Sequence, residues 1–272
     1  MNGYLYIAFG EKYLNEAVVS VESLLKVDPK ANFTLITNSY DLVPSIFKNV
    51  ILLSIDTDKP FLYKIKALSL SPYERTFFID TDTYFCDTCI ELFSLLDYFD
   101  ILIAHCNNDY LDVYNKLGEA ILGYYSYNTG VIIYKKRDKT IEFLKDWYNA
   151  YYKHFNLYVH DQPPFMECLL DSDIKIYVLQ SIYNARTPYP LSLIARPVKI
   201  IHGRHNDYIR IAQKLNKSAN CSRVWFPRFK LVLAYRRTKF FKWYMSLNPA
   251  IKIKVKNIVK PIVMKLGMRD YI

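Results

Sequence analysis

A chain of 272 residues that is 51% hydrophobic and 23% charged has the size and composition of one large or two small folded units, which excludes a disordered polymer. Its net charge of +10 is uneven: 13 of the 36 Lys and Arg and one of the 26 acids lie in residues 223–272, leaving 23 basic against 25 acidic side chains before them. That balance argues against a nucleic-acid-binding core and confines the basic character to a C-terminal appendage suited to an anionic surface.

Residues 4–9 are a short apolar run ending at Gly10, which predicts a buried first strand. Ala17, Val18, Val21, Leu24 and Leu25 then recur at helical spacing within 14–25, closed by Pro29. Residues 33–36 and 50–55 predict further strands, 63–70 a helix stopped by Ser71-Pro72, and 76–79 a fourth strand running into Asp80. The alternation continues with a helix at 90–96, strands at 101–104 and 131–134, and a long amphipathic helix at 139–152. A helix starting near Asp161, a strand at 174–179 and a last strand at 198–201 ending at His202 complete the series. Strands alternating with helices predict an α/β fold with a mainly parallel sheet covered on both faces. Ligands in such sheets bind beyond the carboxyl ends of the strands, where Asp80 and His202 both fall. The expected division is a catalytic domain over 1–222 and a basic amphipathic helical tail over 223–272.

Cys86-Asp87-Thr88-Cys89 is a lone pair with no second CxxC or matching histidines, which cannot close a tetrahedral zinc site. Five cysteines without framework spacing predict reduced thiols and a cytoplasmic protein. The segment Met1-Asn2-Gly3-Tyr4 lacks the basic and long apolar parts of a secretory leader, and no uncharged stretch approaches the roughly 20 residues of a membrane span.

The strongest chemical signal is Phe77-Phe78-Ile79-Asp80-Thr81-Asp82-Thr83. Two carboxylates two residues apart, just past a buried strand, repel unless a proton or cation lies between them. A hard divalent ion that also ligates diphosphate oxygens would satisfy both, whereas a solvated acidic turn needs no ion.

The segment 73–82, Tyr-Glu-Arg-Thr-Phe-Phe-Ile-Asp-Thr-Asp, resembles the DxD segment of GT-A glycosyltransferases, especially family 8, the group of glycogenin and the bacterial lipooligosaccharide galactosyltransferases. Other features occur in that family's order. Ala8-Phe9-Gly10-Glu11-Lys12-Tyr13 is similar to its first loop, with Tyr13 at the aromatic that stacks on the nucleotide base. Tyr63-Lys64-Ile65-Lys66 is similar to the helix whose basic residue meets the donor, Lys64 being the better match. Tyr127-Asn128-Thr129-Gly130-Val131 resembles the stretch lining the sugar and acceptor pocket, and His160-Asp161-Gln162 its Asp-Gln pair. Ile200-Ile201-His202-Gly203 resembles the strand ending in the third metal ligand. The resemblance implies metal ligands Asp80, Asp82 and His202, donor contacts at Ala8, Phe9, Tyr13, Lys64, Asp80, Thr81, Asp82 and Arg204, and catalytic roles for Asp161, Gln162 and Asn128. It also implies a nucleotide-sugar donor, UDP-linked above others, and transfer with retention to a hydroxyl acceptor; the basic tail adds the expectation that this acceptor is a surface glycan or lipid-linked. Two departures stand out: Pro163-Pro164 follows Gln162 where the family often continues with an acid, and the usual Gly-x-x-Lys-Pro-Trp after the histidine is absent, leaving Arg204 or His205 to replace its lysine.

The chemistry of the residues agrees with this set. An imidazole among carboxylates favours Mn²⁺ over Mg²⁺, and Lys64 with Arg204 would neutralise the charge growing on a departing diphosphate. By residue type alone, His202 equally fits a core or capping histidine, Tyr13 core packing, Lys64 an exposed helix lysine, Asn128 a turn cap and Asp161 a helix N-cap. An inverting reaction would need a carboxylate base, for which Asp161 or Asp109 are candidates.

In the tail, Phe229, Val232, Leu233, Phe240, Trp243, Tyr244 and Leu247 share one face of a helical wheel, as do Ile251, Val255, Ile258 and Ile262 beyond Pro249. Such helices either lie on anionic membranes, here at the cytoplasmic face, or pack on the parent domain. Two other functional classes remain open. A haloacid-dehalogenase-type phosphatase would use Asp80 as nucleophile, although Tyr84 stands where that pattern needs Thr or Val. A non-catalytic sugar-nucleotide or glycan-binding protein would need the pocket alone.

Overall fold

The computed structural model describes residues 1–55, 59–106, 126–154, 160–235 and 247–265. Its main sheet comprises β1 (Asn2–Ile7), β2 (Phe33–Thr37), β3 (Val50–Leu52), β4 (Arg75–Ile79), β6 (Ile101–His105), β7 (Tyr127–Lys135) and β8 (Ile176–Leu179), in the order β3-β2-β1-β4-β7-β6-β8. Two three-stranded sheets accompany it. One has β11 (Ile200–His202) between β5 (Thr83–Phe85) and β9 (Ala185–Arg186); the other runs β10 (Leu191–Leu193), β12 (Ser222–Phe226), β13 (Leu231–Tyr235). In the main sheet β1–β2, β2–β3, β1–β4 and β6–β8 are parallel pairs, as the alternation predicts. β7 runs antiparallel to both its neighbours, β4 and β6. The strand predicted at 198–201 does not join the main sheet; His202 instead ends a strand of a smaller one.

Seven α-helices occur among the described residues: α1 (Glu11–Val27), α2 (Pro60–Ser69), α3 (Leu92–Leu95), α4 (Asp138–His154), α5 (Gln162–Leu170), α6 (Tyr208–Asn216) and α7 (Pro249–Lys265). α1 starts one turn earlier than its apolar spacing suggests, because Gly10 at φ 89° turns the chain and accepts the first helical bond from Leu14 N. Pro60 opens α2 at a first-turn position, where its missing N–H is an orphan anyway and its φ is already helical.

Side chains alternate across the sheet and build two cores. Tyr4, Tyr6, Phe77, Ile79, Val131 and Ile133 pack with Leu14, Ala17, Val21 and Leu24 of α1 on one face. Leu5, Phe78, Ile132 and Tyr134 pack with Ile65 and Leu68 of α2, Phe143 and Trp147 of α4, and Phe165 of α5 on the other. With both faces covered, these strands read as continuous apolar runs rather than alternating ones. Asp80 continues the parity of Phe78, so it emerges on the side where α2 and α5 pack.

A third core joins Ile182, Leu191, Leu193, Ile201, Ile211, Leu215 and Trp225. It accounts for a correction to the tail: residues from Arg223 onward do not all belong to helices. Arg223 and Trp225 are buried on β12, and Phe229 and Val232 lie in a 3₁₀ turn and in β13 instead of on a helical face. Arg223 is tolerated inside because its guanidinium donates to the backbone oxygens of Leu215, Ile194 and Arg196. The chain divides into compact units at Met1–Leu233 and Ala234–Ile272. In the second, α7 carries Pro261 within it and exposes Ile251 and Ile253; Phe240, Trp243 and Tyr244 lie outside the described residues.

Candidate active site

Backbone pairing draws Asp80, Asp82 and His202 together. β4 delivers Asp80, whose N–H donates to Gly130 O at 2.7 Å. The Thr83 hydroxyl donates back to Asp80 O at 2.8 Å and closes the turn that carries Asp82. β5 follows at once and pairs antiparallel with β11, setting His202 opposite Thr83, while Gly203 N donates to Asp82 O at 2.9 Å. His202 Nε2 consequently lies 3.3 Å from Asp82 Oδ1 and 3.7 Å from Asp80 Oδ2. One donor atom from each residue lies within 4.8 Å of the others. Ligands about 2.2 Å from a shared ion stand roughly 3–4.4 Å apart, so this set fits a divalent cation. Gly130 completes the cradle: a Cβ there would collide with Asp80 Oδ2 and the His202 ring. Burial works to raise the Asp82 carboxyl, but the His202 hydrogen bond and the charges of His202, Arg204 and Arg186 outweigh it and hold it well below the usual carboxylate range.

On the α2 side, Lys64 Nζ is 3.1 Å from Asp161 Oδ2 and 3.3 Å from Asp80 Oδ1. Burial opposes the Lys64 charge, but the two carboxylates prevail and raise its pKa. It is therefore a paired interior cation, not an exposed helix lysine. Asp161 sits at the N-cap of α5 in helical geometry and makes no side-chain cap bond. Its carboxylate accepts from Lys64 and from the Thr129 hydroxyl at 2.9 Å, and its carbonyl accepts from Trp147 Nε1 at 2.8 Å. Pro163 and Pro164 fill the first turn of α5, where proline costs no hydrogen bond, so the departure from the family pattern does not interrupt the helix that begins after Asp161. Asn128 lies within β7 and not in a turn; its Oδ1 accepts from Gly130 N at 3.3 Å and from Asn184 Nδ2 at 2.9 Å.

Opposite Lys64, Arg204 forks onto Glu16 of α1, with Nε–Oε1 at 2.7 Å and Nη2–Oε2 at 3.2 Å, and its Nη1 is 3.6 Å from Asp82 Oδ2. Thr81 donates to the same Glu16 at 2.9 Å. His205, the other candidate, is instead bonded to the Thr187 hydroxyl and packs edge-on against Tyr208. These groups open into a cavity of about 540 Å³ whose lining includes Phe9, Tyr13, Lys64, the 80–82 turn, Asn128, Asp161, Gln162, His202 and Arg204. Tyr13 is 43% exposed there, with Lys12 5.6 Å from its ring centroid, which is not core packing. Ala8 is the exception, buried in the core beside Tyr6 rather than on the cavity wall. Asp109 lies outside the described residues.

Three participants carried no legible signal. Asn184 Oδ1 lies 2.8 Å from His202 Nδ1, Arg186 lines the cavity with its guanidinium over the Tyr189 ring, and Glu16 orients Arg204. None belongs to a spacing pattern; each is recruited by tertiary contact alone. Among the described residues the 80/82/202 trio is the one group able to hold a metal, and Cys86 and Cys89 are unpaired thiols. Burial, helped by Asp87, pushes Cys86 up to about 12, which keeps the free thiol protonated and unreactive.

Comparison with known proteins points in the same direction. The profile of the nucleotide-diphospho-sugar transferase family matches residues 75–186, the stretch from β4 through Arg186. The fold is similar to that of the glycosyltransferase GlyE of Streptococcus pneumoniae TIGR4, with TM-score 0.55 and 13% identity over 76% of this chain and 56% of that one. It is also similar to an active-site mutant of LgtC, with TM-score 0.51 and 14% identity over 80% of this chain and 95% of that one. The chain thus spans little more than half the length of GlyE. No curated protein sequence matches.

Proposed function

We propose that this chain, which has the GT-A fold and resembles the family-8 nucleotide-diphospho-sugar transferases, moves a hexose from a UDP-sugar to a hydroxyl acceptor with the help of Mn²⁺ or Mg²⁺. The observation that carries this is the convergence of Asp80, Asp82 and His202 in the lining of a cavity that also holds Lys64 and Arg204. Three acids (Asp80, Asp82, Asp161) and three cations (Lys64, Arg186, Arg204) line that cavity, so its fixed charges cancel. A divalent ion held by the trio would leave the site at +2, the charge that a diphosphate neutralises. Bound there, the ion would supply Lewis-acid stabilisation of the leaving diphosphate.

The chain's own groups then divide the remaining work. Arg204, aimed by Glu16, and Lys64, aimed by Asp80 and Asp161, offer preorganised positive charge where the nucleoside diphosphate departs. Tyr13, half exposed at the cavity rim, offers a face for the base. Asp161 is already an acceptor for Lys64 and Thr129, which suits a group that orients sugar hydroxyls better than one that takes a proton. That favours retention over inversion, with Gln162 and Asn128 flanking the reacting sugar.

The acceptor proposed is a surface glycan or lipid-linked saccharide, reached by peripheral attachment of α7 and the preceding basic segment to an anionic membrane, on its cytoplasmic face. No helix among the described residues is long and apolar enough to cross a membrane. Flotation with anionic liposomes should separate the full chain from one ending at Tyr235, a cut that spares the buried Trp225; equal soluble fractions would remove the membrane role. The transferase itself is tested with a panel of nucleotide sugars in Mn²⁺ and in EDTA. Turnover of one donor, abolished by EDTA and by Asp80→Asn, is expected. Phosphomonoesterase activity without donor turnover would favour the Asp80-nucleophile phosphatase, and donor binding without turnover a non-catalytic module.

A further inference from the structure

We propose that Asn184 is a positioning residue that fixes a hydrogen on Nδ1 of His202, so that Nε2 is the ring nitrogen open to a cation between Asp80 and Asp82. The assignment starts from a group whose polarity cannot change. The backbone N–H of Gly130 only donates, so the Asn128 side-chain atom 3.3 Å away is its oxygen. That oxygen lies 2.9 Å from the Asn184 amide, which must present its NH₂ there. The other end of Asn184 is then its oxygen, and it faces His202 Nδ1 at 2.8 Å. An oxygen acceptor at that distance requires N–H on the ring.

Within the relay nothing competes with this polarity, while at the other ring nitrogen Asp82 Oδ1 is a second acceptor 3.3 Å away. Asn128, Asn184 and His202 are all at most 2% exposed, so bulk water does not substitute for a mismatched partner. Reversing Asn128 would set its NH₂ against Gly130 N–H, and reversing Asn184 would set its oxygen against Asn128 Oδ1; both are unfavourable in a buried position. At the far side of the ring, Nε2 meets both Arg186 Nη1 at 3.5 Å and Asp82 Oδ1 at 3.3 Å; the carboxylate is where a hydrogen on Nε2 would point until a cation takes its place. The backbone reinforces the arrangement: β9 runs parallel to β11 with Arg186 beside His202, and Asn184 lies two residues before Arg186. The orientation of the imidazole is thereby tied to a peptide group of β7, the strand that also receives Asp80 N–H through Gly130 O. Metal-bound histidines commonly donate their second N–H to such an acceptor, and loss of the acceptor weakens metal affinity about 10–100-fold.

The cation half of this inference rests on the transferase reading; the position of the hydrogen does not. Long-range ¹H–¹⁵N spectra of the metal-free full chain, with His202 signals identified by their loss in His202→Gln, should show the hydrogen on Nδ1. Mn²⁺ calorimetry should then show at least tenfold weaker binding for Asn184→Leu, which has no acceptor. Asn184→Asp keeps an acceptor toward Nδ1 but sets a second oxygen against Asn128 Oδ1, so it should retain the Nδ1 hydrogen and lose less Mn²⁺ affinity than Asn184→Leu. A purely structural role would weaken both variants alike. A bare Nδ1 in the parent chain, or undiminished Mn²⁺ affinity in folded Asn184→Leu, would overturn the proposal. Should Asn184→Leu fail to fold, the parent spectrum and Asn184→Asp still decide it. A parent chain that shows Nδ1–H but binds no Mn²⁺ would defeat the metal-dependent reading and leave the hydrogen assignment standing.

Discussion

Gly130→Ala isolates the close packing on which the proposed metal site depends. Gly130 lies inside β7 without the positive φ that would itself exclude alanine, so the backbone accepts the substitution. Removing glycine's freedom in the unfolded chain should even stabilise by about 0.4–1 kcal/mol. Against that stands the space: the new Cβ would press on Asp80 Oδ2 and the His202 ring, with Asp80 Cγ at 3.0 Å. Ordinary carbon contact needs about 3.5–4.0 Å, so both donors must retreat by roughly 1 Å. Such overpacking costs about 1–3 kcal/mol, leaving a net loss of roughly 0–2.5 kcal/mol, modest for a domain of this size. The functional cost is larger, because a misplacement near 1 Å at a reacting centre lowers turnover about 100-fold. The assay pairs thermal unfolding with Mn²⁺ calorimetry and donor turnover. A cooperative transition within a few degrees of the parent, joined to weakened Mn²⁺ binding and turnover about 100-fold lower, is expected. Parental Mn²⁺ affinity and turnover in Gly130→Ala would refute the claim that these side chains form the cation cradle.

Three further outcomes follow from the same geometry. Lys64→Met keeps most of the side chain's bulk but frees Asp80 and Asp161 of a competing cation; Mn²⁺ binding should hold or tighten while donor turnover falls about 100-fold, and weakened Mn²⁺ binding in calorimetry would contradict it. Glu16→Gln removes the charged fork that aims Arg204; the donor KM should rise about fivefold with little change in Tm, since an exposed pair adds little stability, and steady-state kinetics beside a melting curve check both. Asp100 is buried, and although burial works to raise its carboxyl, bonds from Lys139 and Lys175 N and the charges of Lys139 and Arg137 lower it below the unfolded value. Its stabilisation is then present above the unfolded value of about 4 and lost as pH falls through the depressed value, so Asp100→Asn should cost about 1–2 kcal/mol at pH 7 and progressively less as pH falls below the unfolded value in denaturant titrations.

What the sequence disclosed was whatever local pattern governs. Apolar runs and helical spacing located β1, α1, β4, α4 and the arrival of Asp80 at a strand end, because burial on both sheet faces leaves a continuous apolar signature. Boundaries slipped where the exposed turns of α1 and α2 lack that signature. The helical wheel through Phe229 and Val232 failed because tertiary pairing with β12 and burial of Trp225 outweigh a periodicity that short segments satisfy by chance. The pairing of β5 (Thr83–Phe85) with β11 (Ile200–His202) joins segments far apart in the chain, so the sequence offered His202 as a candidate but no route by which it reaches Asp82. Asn184, Arg186 and Glu16 were invisible for the same reason: their partners lie far along the chain, and single residues have no period.

The antiparallel pairing of β5 and β11 also bears on how the protein acquires its binding capacity. Two carboxylates come from the first half of the chain and the imidazole from a strand in its second half, so a partly assembled molecule with β11 undocked has only a weak acidic turn. An ion that recognises the finished trio acts on the equilibrium between docked and undocked strands, adding about 2.7 kcal/mol to docking at roughly a hundredfold excess over its dissociation constant. Amide protection of Ile200 and Ile201 against hydrogen exchange would then rise with free Mn²⁺, and occupancy would report on maturation as much as on readiness for substrate.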